Sequence, residues 1–288
     1  MPIIRITDPA DPRIADYRSV PDPELLRRGG LFVAENRLVV RALLGSSRFR
    51  THSLLVTDAA LDSLRDLLRA GAGESSPAID GLAVYVCPKA LMEPIAGYPI
   101  HRGCLAIGER PPALAVDALL AALPGARLVV ALEALTNADN MGGVFRNAAA
   151  FGADAVILGP RCCDPLYRKA IRVSIGASLR VPFANAAGWP EDLERLRRAG
   201  FTVVALTPSS DAIDLGEFAT GDAPSKIAVL VGNEGDGLSD AAQGSADVRV
   251  RIAMAPGVDS LNAAAATAIA LHRLWPGARP STTATRSW

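Results

Sequence analysis

Hydrophobic and polar positions alternate along the second half of the chain in a pattern typical of parallel α/β proteins. Short, almost wholly apolar runs at Leu128–Leu132, Ala155–Leu158 and Ile227–Val231 predict buried strands. Between the first two, helical spacing of apolar residues predicts a loop that ends at Asn140 and a helix that runs through Phe151. At the other end, the spacing predicts a helix over residues 261–274, with Ser260 as its N-cap.

The first 110 residues predict a smaller α/β unit. After a Pro-rich, charged opening, residues 31–46 predict a strand followed by an amphipathic helix. Apolar runs at 53–57 and 82–88 predict further strands, and a helix is expected over 60–70. We therefore expect domains at 1–110 and 127–276, a linker at 111–126 that holds a short helix, and a flexible tail at 277–288.

One arginine stands out in the predicted helix after Asn140. Arg146 has Gly142 and Gly143 one turn before it and Ala149 and Ala150 one turn after it, so it lies on a nearly bare face. A glycine inside a helix costs about 1 kcal/mol relative to alanine. That cost is acceptable where a ligand or another backbone must come close, so the pattern favours a functional arginine.

Composition excludes several classes of protein. The chain has 288 residues, 50% of them hydrophobic, and a net charge of zero, so any affinity for a polyanion must come from local patches. No apolar run approaches the 18 residues of a membrane span and the N-terminus has no hydrophobic signal region, which predicts a cytoplasmic protein. The four cysteines lack the paired spacing of a zinc site, and the three histidines are scattered, so we expect no metal.

The glycine-rich segment GNEGDG follows the predicted strand Ile227–Val231. Its glycines do not have the spacing of a dinucleotide-binding loop, and no lysine follows as in a phosphate loop. A plain turn is one interpretation of this segment. The other is a ligand site, because Glu234 lies where a strand of an α/β sheet ends.

Three segments in order carry a family resemblance: NMGGVFR from Asn140, GNEGDGLS from Gly232, and MAPGVDSLNAAAA from Met254. With RKAIRVSIGASLRVPF at 168–183, they resemble the SpoU (TrmH) family of the SPOUT superfamily over about the last 160 residues. Asn147 stands where threonine or serine is usual, and Ala253 where proline is usual. The resemblance implies an S-adenosylmethionine-dependent RNA methyltransferase that acts on the ribose 2′-hydroxyl of rRNA or tRNA.

The resemblance also implies a fold and an assembly. The C-terminal domain would be a parallel-sheet α/β domain with a deep trefoil knot, which composition alone could never suggest because knots are so rare. The enzyme would be an obligate homodimer, with Arg146 near the cofactor site of the second subunit or at the shared boundary. The N-terminal domain is similar to the small ribosomal-protein-like α/β RNA-binding domain of many such enzymes, with Glu35 followed here by Asn36.

Site residues carried over from the resemblance fall into two groups. The residues expected at the reacting hydroxyl are Arg146, Asn140, Glu234, Ser260 and Asn262. Those expected to hold S-adenosylmethionine are Leu206, Thr207, Gly232, Asn233, Glu234, Gly235, Ile252, Met254 and Leu261. Because an arginine is a poor general base, we assign Arg146 to orienting the hydroxyl and stabilising developing negative charge.

Basic side chains in the first domain are the candidates for RNA contact. Arg28, Arg37 and Arg41 lie in its densest cationic stretch, and a helix that begins near residue 35 would place Arg37 and Arg41 on one face. A solvated helix face explains the same charges equally well.

Two other classes of protein stay open. One is a catalytically silent RNA-binding protein of the same fold, and the other is an unrelated α/β enzyme that uses the glycine loop for another nucleotide. The presence of Asn140, Arg146, Glu234 and Asn262 together argues against the silent relative. A thiostrepton-type resistance methyltransferase is one branch that the sequence leaves open.

Overall fold

A computed structural model describes residues 2–18, 21–70, 81–100, 102–221, 224–233 and 235–275. They form two compact units. The first comprises Met1–Pro112 and Asp164–Arg180, and the second comprises Ala113–Cys163 and Val181–Trp288. Residues 164–180, which we expected in the C-terminal domain, therefore group with the first unit. The expected linker at 111–126 is also different, because most of it belongs to the second unit.

Strands and helices alternate through most of the chain. The strands are β1 (Ile3–Arg5), β2 (Leu31–Glu35), β3 (Arg50–Val56), β4 (Ala83–Val86), β5 (Cys104–Glu109), β6 (Leu128–Leu132), β7 (Ala155–Leu158), β8 (Phe183–Asn185), β9 (Thr202–Leu206), β10 (Ile213–Asp214), β11 (Ile227–Val231) and β12 (Val248–Arg251). The α-helices are α1 (Asp22–Gly29), α2 (Arg37–Leu44), α3 (Asp58–Asp62), α4 (Arg65–Ala70), α5 (Lys89–Ala96), α6 (Val116–Ala121), α7 (Ala138–Ala150), α8 (Arg168–Val173), α9 (Asp192–Arg198), α10 (Leu215–Thr220), α11 (Asp240–Gly244) and α12 (Ala263–Leu274). Short 3-10 helices occur at Pro12–Tyr17 and Ala177–Leu179.

The first unit is built on a sheet with the strand order β1-β4-β3-β5-β2. Strand β5 runs antiparallel to β3 and β2, and the other pairs are parallel. The carboxyl ends of β2, β3 and β4 therefore lie at one edge, where α2, α3 and α5 begin. The predicted α/β unit is confirmed, although the helix expected over 60–70 is two short helices, α3 and α4.

The second unit is built on a parallel sheet with the order β10-β12-β9-β11-β6-β7-β8. Every residue of β6 and β11 is buried, as expected for strands covered on both faces. The chain runs outward from β6 to β8 and then returns to the other side of β6 with β9. Loops that leave neighbouring strands in opposite directions open a crevice at their carboxyl ends. The predicted parallel-sheet fold is confirmed, and the trefoil knot stays a prediction.

Helices α7 and α12 pack closely against each other. A Cβ atom at Gly143 would lie only 2.7 Å from the Cβ atom of Ala264, so glycine is required for this approach. Asn147 Nδ2 also donates to the Ala264 carbonyl at 2.7 Å. The glycine before Arg146 thus makes room for α12, which confirms the interpretation that another chain segment comes close there.

The start of α12 corrects one prediction. Its N-cap is Asn262, not Ser260, because Asn262 Oδ1 accepts from the backbone N–H groups of Ala264 at 3.0 Å and Ala265 at 3.2 Å. Both residue types are good caps. The apolar Leu261 made the helix look two residues longer than it is.

Candidate functional site

A cavity of about 420 Å³ lies in the second unit, beyond the carboxyl ends of β9, β11 and β12. It is lined by residues at the ends of these strands, in the loops that follow them and on helices α11 and α12: Leu206, Thr207, Pro208, Val231, Gly232, Asn233, Gly235, Asp236, Gly237, Leu238, Gln243, Val250, Ile252, Met254, Asp259, Ser260, Leu261, Ala263 and Ala266. Apolar side chains and exposed backbone dominate the wall. This composition suits a small molecule with a flat apolar part and a few polar groups.

The glycine loop, residues 232–238, forms one side of the cavity. It turns back on itself, with a bridge between Asn233 and Gly237. Asn233 Oδ1 accepts from the backbone N–H groups of Gly235 and Asp236, each at 2.8 Å, which holds the turn. A Cβ atom at Gly232 would lie 2.3 Å from the carbonyl carbon of Gly237. Only glycine fits at this point, because the backbone of the loop doubles back against it.

The third segment forms the opposite side of the cavity and reaches α7. Ile252, Met254, Ser260 and Leu261 line the cavity. Immediately after them, Asn262 Nδ2 donates to Oδ1 of the buried Asn140 on α7 at 2.7 Å. The first and third segments are thereby joined beside the cavity.

Arg146 lies one and a half turns beyond Asn140 on α7, with its side chain exposed. Its neighbours Phe145 and Ala148 are buried, and the Phe145 ring packs edge-on against Phe183 at 5.8 Å. Arg146 therefore points away from the core of its own unit. Among the described residues, those that line the cavity do not include Arg146.

The structure brings most of the predicted residues together. The cavity is lined by Ser260 and by all the predicted cofactor residues except Glu234, which lies outside the described residues. The sequence interpretation missed Pro208, Asp236, Gln243 and Asp259. Pro208 and Asp236 adjoin predicted residues and could have been included, whereas Gln243 gave no signal because it lies on α11, beyond the glycine loop.

Three cationic residues of the first unit were predicted to contact RNA. Arg37 is exposed at the start of α2, beside Leu38, whose exposed fraction is 53%. Arg41 instead forms a two-pronged ion pair with Asp66, with N–O distances of 2.9 and 2.6 Å. The Arg41 hydrogen bonds lower the pKa of the Asp66 carboxyl to about 2. The side chain of Arg28 lies outside the described residues.

Two of the four cysteines lie in the core. Cys87 and Cys104 are buried, Cys162 and Cys163 are partly buried, and none of the four forms a disulfide. Burial raises the pKa of Cys87 to about 11 and that of Cys104 to about 12, so neither thiol is a ready nucleophile. Among the described residues there is no cluster of His, Cys, Asp and Glu that could hold a metal ion. No helix in the same part of the chain is long and apolar enough to cross a membrane.

The chain is similar to known proteins in both sequence and fold. Residues 127–272 match the model of the SpoU rRNA Methylase family. The chain is 41% identical over 283 residues to an uncharacterized tRNA/rRNA methyltransferase of Mycobacterium tuberculosis, with 94% of each chain covered.

Among solved structures, the AdoMet-bound rRNA methyltransferase of Sinorhizobium meliloti aligns with a TM-score of 0.77 and 25% identity, covering 94% of this chain and 97% of that one. A structure described as an RNA 2′-O ribose methyltransferase aligns with a TM-score of 0.70 and 25% identity, covering 94% of this chain and 98% of that one.

Proposed function

Because this chain belongs to the SpoU rRNA methylase family, we propose that it transfers the methyl group of S-adenosylmethionine to a ribose 2′-hydroxyl of rRNA or tRNA. The observation that carries the proposal is the hydrogen bond between Asn262 and Asn140. It joins the helix of Arg146 to the segment that forms one side of the cavity. The proposed cofactor site and the helix that carries the proposed reacting residue are therefore held together.

The cavity fits S-adenosylmethionine by its chemistry. Leu206, Ile252, Met254 and Leu261 offer apolar surface for an adenine ring, and the backbone of the glycine loop offers polar groups at its edge. The carboxylates of Asp236 and Asp259 also line the cavity, where they favour a ligand with positive charge. S-adenosylmethionine supplies an electrophilic methyl group on a sulfonium centre.

The protein must then align the hydroxyl and accommodate its proton. Because an arginine is a poor general base, Arg146 orients the 2′-oxygen and stabilises the negative charge that develops there, with an RNA phosphate available to share the proton. Asn140, Asn262, Ser260 and Glu234 position Arg146 and the ribose. Selection of the 2′-hydroxyl also distinguishes RNA from DNA.

The outward position of Arg146 supports a homodimer as the active form. Within one chain, this side chain is exposed and does not line the cavity. We place it at the cavity of a second copy or at the shared boundary, where the cytoplasmic enzyme would meet its RNA. A trefoil knot in the second unit is part of the same proposal.

The first unit would capture the RNA. Arg37 and Arg102 are both exposed near the carboxyl edge of its sheet, since the Asn36 N–H donates to the Cys104 carbonyl at 3.1 Å. The N-terminal ends of α2, α3 and α5 lie at this edge, and their partial positive charge adds to that of the side chains. Arg41 would contact RNA only after its ion pair with Asp66 is broken, whereas Arg37 is exposed and can contact RNA directly.

Substitution of Arg146 tests the chemistry. Because the side chain is exposed, Arg146→Ala should leave thermal stability and S-adenosylmethionine affinity close to wild type while lowering methyl transfer at least about a hundredfold. Arg146→Lys should recover little, because a point charge cannot replace the planar fork of the guanidinium. Single-turnover rates on RNA from a deletion strain, with the methylated nucleotide mapped by its resistance to alkali, measure the effect.

Arg198→Ala is the matched control, since Arg198 is an exposed helical arginine of the same unit with a side-chain exposure of 74%. Near wild-type transfer by Arg146→Ala would remove this residue from the mechanism. A wild-type protein that binds RNA but neither binds S-adenosylmethionine nor methylates would identify the silent relative instead.

A further inference from the structure

A buried carboxylate lies directly behind the glycine loop. Glu133 follows β6, and only 4% of its surface is exposed. Its Oε1 accepts from Trp189 Nε1 at 2.9 Å and from Ser239 Oγ at 2.8 Å, and its Oε2 accepts from the Ser239 backbone N–H at 2.9 Å. Both carboxylate oxygens are thus used, and hydrogen bonds to a buried charged acceptor are among the stronger ones in proteins.

Glu133 contacts both ends of the glycine loop. Its backbone N–H donates to the Val231 carbonyl at 2.9 Å, just before the loop begins. Its carboxylate accepts hydrogen bonds from the backbone N–H and the Oγ of Ser239, just after the loop ends. Val231 and Leu238 both line the cavity on the side of this loop, so these bonds hold the two ends of the loop together and fix that wall.

The same bonds fix the helix that follows. Ser239 is the N-cap of α11, and its Oγ accepts from the Ala242 N–H at 3.2 Å. From α11, Gln243 Nε2 donates to the Leu238 carbonyl at 3.0 Å, and Gln243 itself lines the cavity. Displacement of Ser239 would therefore move Leu238 and Gln243 together.

We infer that Glu133 is a positioning residue for the methyl donor, holding the glycine loop closed through Ser239 so that the cavity keeps the width that binds S-adenosylmethionine. This inference rests on the proposed function, because it takes S-adenosylmethionine as the ligand of the cavity. Glu133 does not line the cavity among the described residues, so it acts through the loop rather than by touching the ligand.

Glu133→Gln keeps the size of the side chain and removes one acceptor. In either orientation of the amide, its NH₂ group faces a donor: the Ser239 N–H on one side, or the Trp189 indole N–H on the other. We expect S-adenosylmethionine affinity to fall about tenfold to a hundredfold, the range for a lost hydrogen bond to a charged group. The rate constant at saturating donor should stay close to wild type, since the reacting groups are untouched.

Asp192→Asn is the matched control. Asp192 is also 4% exposed in the same unit, and its carboxylate accepts from the Gly188 N–H at 3.0 Å and from Arg195 Nε at 2.6 Å. It should lower thermal stability without changing donor affinity. The separation of affinity from stability distinguishes a positioning role from a structural one.

Ser239 provides a second, independent pair of variants on an exposed residue. Ser239→Ala should weaken donor binding, Ser239→Thr should restore it, and adding Ser239→Ala to Glu133→Gln should cost little more than either change alone. Calorimetry with S-adenosylmethionine and steady-state kinetics on full-length protein give these values. Wild-type donor affinity in both Glu133→Gln and Ser239→Ala, with the wild-type protein binding normally, overturns the inference, whereas failure of the wild-type protein to bind overturns the proposed function.

Discussion

Replacement of Gly232 by alanine is the sharpest test of the cavity, because it adds a single methyl group at its tightest point. The added Cβ would meet the loop itself: the carbonyl carbon and oxygen of Gly237 at 2.3 and 2.4 Å and the Leu238 nitrogen at 2.5 Å. These are backbone atoms, which cannot rotate away.

The distances set the size of the effect. Carbon atoms in ordinary contact lie about 3.5–4.0 Å apart, so the two sides of the loop must separate by more than about 1 Å. Overpacking of this kind typically costs about 1–3 kcal/mol of the free energy of unfolding. Because the loop forms one wall of the cavity, we expect at least about a tenfold loss of S-adenosylmethionine affinity, equivalent to about 1.4 kcal/mol.

Isothermal calorimetry with S-adenosylmethionine and thermal melting measure the two effects in parallel. Gly244→Ala is the control, because a Cβ at Gly244 meets nothing within 4 Å and the residue ends a helix of the same unit. It should leave affinity unchanged and slightly favour the helix. Unchanged affinity in Gly232→Ala would refute the assignment of the loop to the donor site.

Two further predictions concern Asn262 and the arginines of α2. Asn262→Ala should lower the free energy of unfolding by about 1–3 kcal/mol, since it removes both the cap of α12 and the bond to Asn140. Asn262→Asp keeps the cap but cannot donate a hydrogen bond to Asn140, so it should lose less stability than Asn262→Ala and still lose methyl transfer. Equal methyl transfer by Asn262→Asp and wild type, at a temperature where thermal melting shows both to be folded, would contradict this prediction. In filter-binding titrations against RNA at several salt concentrations, Arg37→Ala should weaken binding and reduce the salt slope by about 1, while Arg41→Ala should change it less because of Asp66. An equal effect of the two substitutions would show that the ion pair with Asp66 does not prevent Arg41 from contacting RNA.

Much of the cavity could be predicted from the sequence because its elements carry local signals. The strands β6, β7 and β11 begin and end at the predicted residues, since a short, wholly apolar run bounded by polar residues favours a buried strand over other secondary structure. The glycine loop followed from its glycines, and Asn262 and Asn140 followed from the family resemblance. The structure adds the bond between these two residues, which lie 122 positions apart.

What the sequence could not reveal depends on contacts between distant segments. Glu133 gave no signal, because a single acid after a strand is common and its partners Trp189 and Ser239 lie 56 and 106 residues away. The ion pair of Arg41 was missed for the same reason, since Asp66 belongs to another helix. The packing of residues 164–180 with the first unit could not be predicted either, because chain order does not show which distant segments pack together.

That discontinuity has a consequence for how the protein is made. Helix α8 packs on β2, and a Cβ at Gly176 would lie 3.2 Å from Ala42 on α2, so the first unit completes its packing with residues from the middle of the chain. During synthesis from the N-terminus, residues 1–112 leave the ribosome well before this segment is made. We therefore expect the surface beside β2 to stay uncovered until residue 180 has emerged, by which time the residues of β6 and β7 have also been synthesised. Completion of the first unit is thus linked in time to the synthesis of the first strands of the second unit.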